Sequence, residues 1–157
     1  MAPQISLRVV QPGDQDFLFK LYSCTRVAEI SAWGWNAQQQ EAFLRMQFMA
    51  QQRWYESTYA GAEHQIVLCG DQLVGRLLIS RTGEAAVLVD IALLPEHRNR
   101  GIGGELIRTM LKECDEKRTP ARLQVLQTNP ARRLYERLGF RQTSADDMYV
   151  QMERPPL

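Results

Sequence analysis

The stretch from Ala85 to Leu126 constrains the fold most. It runs from an apolar segment, "AAVLVDIALL", through "PEHRNRGIGG" and "ELIRTMLKEC" to a second short apolar segment, "RLQVL". Leu106, Ile107, Met110, Leu111 and Cys114 recur at helical spacing and give the middle segment one apolar face. A strand, a helix and a second strand in this order predict a crossover connection, with Arg122 to Leu126 parallel to the strand before the helix. The junction that opens the helix holds Arg98, Arg100, Gly101, Gly103 and Gly104. A helix start exposes unpaired N–H groups and the positive end of the helix dipole, and glycine lets a ligand come close to them, so the junction suits an anion. The same letters also suit a solvated Gly-rich loop kept soluble by its arginines. Two other phosphate motifs fail. Counted from Gly101, G-x-G-x-x-G meets Leu106 at its sixth position, and G-x-x-x-x-G-K-[ST] does not occur.

The rest of the chain reads as short elements around this unit. Ile5 to Val10 is a strand ending at "QPGD", and Asp14 precedes a helix in which Phe17, Leu18, Leu21 and Tyr22 share a face. After "SAWGW", Asn36 caps a long helix with Gln39 three residues on, and Phe43, Met46, Ala50 and Trp54 are expected to form its core stripe. "QIVLCG" and "QLVGRLLISR" are joined by Gly70 and Asp71, and the next strand follows the Thr82, Gly83, Glu84 turn, which predicts three adjacent antiparallel strands. A second helix starts at Asn129 and Pro130 and closes at Gly139, and "FRQTS" and "MYVQM" form a last hairpin.

Composition narrows the function classes. The 157 residues suffice for one domain and its core, with no repeat or linker. A formal net charge of +1 gives no bulk attraction for nucleic acid or an acidic membrane, so any anion site is local. Cys24, Cys69 and Cys114 are odd in number and far apart, and neither His64 nor His97 lies in a zinc-type spacing with them, which speaks against a disulfide framework or a metal site. "MAPQISLRVV" lacks a basic region followed by an apolar core, and no apolar run approaches the roughly 20 residues of a membrane span. A reduced, cytoplasmic protein is expected.

Two segments together resemble the GNAT superfamily of N-acetyltransferases. Arg98, Gly101 and Gly103 match its R-x-x-G-x-G/A signature after an apolar strand and a Pro95-Glu96 turn. "NPARRLYERLGF", Asn129 to Phe140, resembles its later motif of an asparagine, a short helix with a tyrosine, then Gly-Phe. The resemblance implies a mixed α/β fold over residues 1–157 as a single domain, with a mostly antiparallel sheet splayed at one parallel strand pair and flanked by helices. It implies acetyl-coenzyme A as donor, no metal, and a small-molecule or peptide amine as acceptor, and it leaves room for a homodimer. By the same resemblance, the backbone of Ile91, Ala92 and Leu93 holds the pantetheine arm. Arg98, Asn99, Arg100, Gly101, Ile102, Gly103 and Gly104 wrap the pyrophosphate, Asn129 bonds the pantetheine from the other side, and Arg132 or Arg133 reaches the adenosine phosphate.

Acetyl transfer requires a base for the amine and an acid for the departing thiolate. Tyr135 occupies the family position of the acid, and a phenol with an ordinary pKa of about 10 is protonated at neutral pH. Tyr135 can also simply pack, beside Leu134 and Leu138. Asp90 is the carboxylate of "VLVDIALL" and serves as base, as water-positioning group, or as a structural acceptor. His64, Glu29 and Glu41 are further base candidates without local support. No cysteine has a recognisable base beside it, which favours direct attack in a ternary complex. Trp33 and Trp35 fall in the region that shapes the acceptor pocket in the family, and Asp146 and Asp147 lie in the final turn, a combination suited to a cationic amine. The alternative is an acyl-CoA-binding or regulatory module without catalysis. A third class, a nucleotide-binding protein, predicts a preference for NAD or ATP over coenzyme A.

Overall fold

The computed structural model describes residues 4–157, which form seven strands and four α-helices. In chain order they are β1 (Ile5–Val9), α1 (Gln15–Ser31), α2 (Ala37–Thr58), β2 (Glu63–Cys69), β3 (Gln72–Arg81), β4 (Ala86–Leu93), α3 (Ile102–Lys117), β5 (Ala121–Leu126), α4 (Ala131–Arg137), β6 (Arg141–Ala145) and β7 (Tyr149–Arg154). The sheet order is β1-β2-β3-β4-β5-β7-β6. β1–β2, β5–β7 and β6–β7 are antiparallel. The tight connections at Gly70-Asp71 and Thr82–Ala85 make β2–β3 and β3–β4 hairpins of the same sense. β4–β5 is parallel, as the crossover through α3 requires. The fold is therefore the mixed α/β arrangement expected, with one parallel pair in a mostly antiparallel sheet.

The chain divides into two compact units, Met1–Leu77 with Ala92–His97, and Leu78–Ile91 with Arg98–Leu157. In the first, Leu18 of α1, Phe48 of α2 and Ile66 of β2 form the centre of a core, with Phe19 and Tyr22 each 5.7 Å from the Phe48 ring. α2 opens on the expected reciprocal cap: the Gln39 N–H donates to Asn36 Oδ1 at 2.8 Å, and the Asn36 N–H donates to Gln39 Oε1 at 3.0 Å. The expected core stripe is not its buried face. Met46 and Trp54 are 58% and 52% exposed and Ala50 is exposed, whereas Leu44 and Phe48 are buried. The helix carries two apolar stripes, and on the buried one Phe48 meets Phe19 and Tyr22 of α1.

In the second unit, α3 buries Leu106, Ile107, Met110, Leu111 and Cys114, the face read from the sequence. Arg154 of β7 donates to both carboxylate oxygens of Asp115, at 2.8 and 3.2 Å, which ties the end of α3 to the sheet. β7 lies between β5 and β6 and pairs with β5 from Ala121–Arg154 to Leu126–Tyr149.

Candidate active site

The parallel pair comes apart part-way along its length. β4 and β5 are in register only at Ala86–Ala121, Val87–Arg122 and Leu88–Leu123. β5 keeps its ladder with β7 to Leu126, so the two ladders of β5 end at different points along it.

The loop after β4 delivers the chain to α3 through two left-handed residues, Asn99 (φ 60°) and Gly101 (φ 83°). Gly101 is the residue before the helix, and its carbonyl accepts the first helical bond, from Glu105 N at 3.0 Å. The N–H groups of Ile102, Gly103 and Gly104 therefore precede any intrahelical acceptor. A Cβ on Gly103 would meet only Ile91 Cδ1, at 3.9 Å, so this turn is open on its Gly103 side. Arg98 and Arg100 are exposed on the same loop. Arg108, which sequence reasoning passed over, also reaches this turn: its Nη2 lies 3.3 Å from the Cβ position of Gly104.

Tyr135 is 8% exposed, its ring centroid 6.0 Å from that of the buried Phe140. Burial, and then the negative charge of Asp90, pushes its phenol up to about 12. Packing and electrostatic coupling to Asp90 thus occur at the same residue. Asn129 caps α4, its Oδ1 accepting from Ala131 N at 2.9 Å. Arg132 pairs with Glu136 at 3.3 Å and donates to Gln142 Oε1 at 2.8 Å, while Arg133 is exposed.

Ala92 and Leu93 belong to the first unit. There the β4 backbone comes so close to β3 that a Cβ on Gly75 would overlap the Ala92 carbonyl oxygen and lie 2.7 Å from Leu93 Cδ2. The glycine inside "QLVGRLLISR" was the available signal for this close approach. Trp33, Trp35 and Phe43 form an edge-to-face triad with centroids 5.1 to 5.4 Å apart, and Arg26 lies 5.8 Å from the Phe43 ring.

Glutamates among the other acid–base candidates hold structural partners. Glu29 pairs with Arg26 and Glu41 with Arg45. Burial and the charge of Arg76 bring His64 down to about 4, against a smaller opposing effect of Asp14. Asp146 Oδ1 accepts from the N–H groups of Tyr149 and Met148, which holds its carboxyl below the usual range. Burial raises the Cys114 thiol, the opposite of an activated nucleophile. Among the described residues no group of three His, Cys, Asp or Glu side chains is placed to hold a metal ion, and no helix is long and apolar enough to cross a membrane.

The family model for the acetyltransferase (GNAT) domain matches residues 34–151. The chain belongs to the GNAT acetyltransferase family. This GNAT chain shares its fold with PaiA N-acetyltransferase from Thermoplasma acidophilum, solved in complex with coenzyme A, at 18% identity and a TM-score of 0.72 over 97% of this chain and 99% of that one. The ribosomal-protein-S18-alanine N-acetyltransferase from Escherichia coli is similar over 97% and 94% of the two chains, at 16% identity and a TM-score of 0.64. Ard1 from Thermoplasma volcanium is similar over 98% of each chain, at 21% identity and a TM-score of 0.61. No curated protein matches the GNAT chain significantly in sequence.

Proposed function

We propose that the protein transfers the acetyl group of acetyl-coenzyme A to a primary amine by direct attack in a ternary complex, in the cytoplasm. The observation that carries this reading is the parting of β4 from β5 just before a left-handed Gly101 opens α3. A strand that runs on past the end of its parallel ladder gives pantetheine a backbone to pair with, and the helix start that follows offers N–H groups and charge to a pyrophosphate. The backbone from Ile91 to Leu93 takes the first role, and Arg98, Asn99, Arg100, Gly101, Ile102, Gly103 and Gly104 the second. Asn129 spends Oδ1 on its cap and keeps its amide NH₂ to donate to the coenzyme. Arg132 reaches a phosphate only by leaving Glu136 and Gln142, which makes exposed Arg133 the readier of the two.

In the reaction the amine nitrogen bonds to the acetyl carbon, the C–S bond breaks, and the sulfur leaves with the bonding electrons. Tyr135 protonates that sulfur, and Asp90 takes the amine proton directly or through water. With its phenol raised to about 12, Tyr135 is a poor acid toward a thiolate whose conjugate acid has a pKa of about 8.5. The coupling to Asp90 offsets the smaller part of this, burial being the larger cause. Once a proton from the amine neutralises Asp90, the charge that raises the phenol is gone, and Tyr135 becomes more acidic as the thiolate forms. Trp33 and Trp35 are the acceptor-side candidates.

The test is a panel of primary amines, cationic, neutral and peptide N-terminal, incubated with purified protein and acetyl-coenzyme A. One N-acetylated product per free thiol released is expected for at least one class. Thiol release with no acetylated amine across the panel would contradict the proposal.

A further inference from the structure

α2 is apolar on its outer side as well as its buried one. Met46 stands two residues from each of buried Leu44 and Phe48, on the opposite side of the helix. Ala42, Met46 and Met49 follow one another at intervals of four and three, with Ala50 and Trp54 beside them. All five are exposed, Met46, Met49 and Trp54 by more than half. At its N-terminal end the stripe meets the Trp33–Trp35–Phe43 triad, whose tryptophans are exposed too. From Phe43 to Trp54 it runs about 16 Å along the helix. An exposed apolar run of that length marks a surface that meets a partner, and methionine adapts its shape to one.

The charges beside the stripe say which partner. Arg45 and Glu56 are about three turns apart, so they share one line along the helix flank. Arg45 rests on the Phe19 ring, its Cζ 4.1 Å from the centroid, and pairs in the open with Glu41 at 3.3 Å; Glu56 has no ion pair among the described residues. A second α2 laid antiparallel across the stripe, about a two-fold axis near Ala50, exchanges the two ends of that line. Arg45 then comes level with Glu56 of the partner subunit, once on each side of the axis, and Phe43 comes within about one turn of the partner subunit's Trp54. A parallel pair would instead set each charge against its own copy. From this self-complementarity we infer that the chain forms a symmetric dimer through α2, with Met46, Met49, Ala50 and Trp54 in the contact and two Arg45–Glu56 pairs at its rim. Ala50 is the small residue at the axis, where the helices approach. Arg53 runs its stem along Met49 and keeps its guanidinium in water.

Sedimentation velocity of the full chain tests it. Wild type should be dimeric at on the order of 10 µM. Ala50→Glu, which puts a carboxylate at the axis and leaves the buried face alone, should be monomeric there. Arg45→Glu and Glu56→Arg should each weaken self-association at least about tenfold, because each sets like charges opposite one another at both rims. An equimolar mixture of these two variants should recover the wild-type degree of association as a heterodimer, since one chain then offers two acids and the other two arginines. Misfolding of either variant would not give that recovery. A wild-type chain still monomeric at on the order of 100 µM would overturn the dimer and leave the stripe to a different partner. A dimer that survives Ala50→Glu would overturn the choice of face. A mixture no more associated than its two components would overturn the antiparallel pairing.

Discussion

Tyr135 bears the largest predicted effect of any single side chain. Replacing it by Phe removes one hydroxyl and keeps the ring beside Phe140, so the fold should persist while the turnover number falls by on the order of 10² to 10⁴ with acetyl-coenzyme A affinity little changed. Wild-type turnover in a folded variant whose chemical step is rate-limiting would return Tyr135 to a packing role. Asp90→Asn should lower the phenol's pKa, because it removes a charge that raises it; spectrophotometric titration of the phenolate reads this. A residue of another kind sets acid stability. His64 is held at about 4 in the folded chain against 6.5 ordinarily, so the unfolded chain binds more protons between those values and stability falls as pH drops from about 6.5 toward 4. Asp14, held at about 2 first of all by its bond with Arg8, keeps its contribution above its ordinary value and loses it only as pH falls further. His64→Asn should therefore flatten urea stability between neutral pH and about pH 4.5 and leave the later acid loss in place. An unchanged slope would refute the assignment to His64. At this scale the packing of Tyr135 was legible from its neighbours Leu134 and Leu138 in the sequence, and it is buried.

Among the elements, α3 makes the sharpest contrast between two glycines of one signature. Gly101 has φ 83°, where a side chain is strained whatever the space, so Gly101→Ala should cost about 1 kcal/mol or more of stability. Gly103 has no such restriction, and its added Cβ finds one ordinary contact. Gly103→Leu should thus melt near the wild-type temperature while binding acetyl-coenzyme A at least about tenfold more weakly, because bulk obstructs close backbone approach. Equal affinity by calorimetry would remove the coenzyme from this turn. For α2, Asn36→Ala should lower stability by about 1 kcal/mol in denaturant unfolding, the usual worth of a cap of this type. Capping and turn residues were readable because they act within a few positions. The buried face of α2 was not, because Phe43, Met46, Ala50 and Trp54 are as apolar as Leu44 and Phe48, and only the packing of α1 chooses between them.

Over the whole molecule, local connections were legible and long-range order was less so. The hairpins through β4 and the crossover to β5 follow from connection length and handedness, and both are present. The last hairpin was expected, but its sequence does not say which strand meets β5; β7 does, leaving β6 at the edge. The parting of β4 from β5 likewise needs the register, since "VLVDIALL" and "RLQVL" would serve equally in a fully paired sheet. The central claim is direct acetyl transfer from coenzyme to amine in one complex. An initial-rate grid, varying the amine identified by the acceptor panel at several fixed acetyl-coenzyme A concentrations, tests it most directly. The account predicts intersecting reciprocal plots, with no acetyl group left on the protein after the coenzyme is removed. Parallel plots, together with a trapped acetyl-enzyme that passes its acetyl group to the amine, would contradict it.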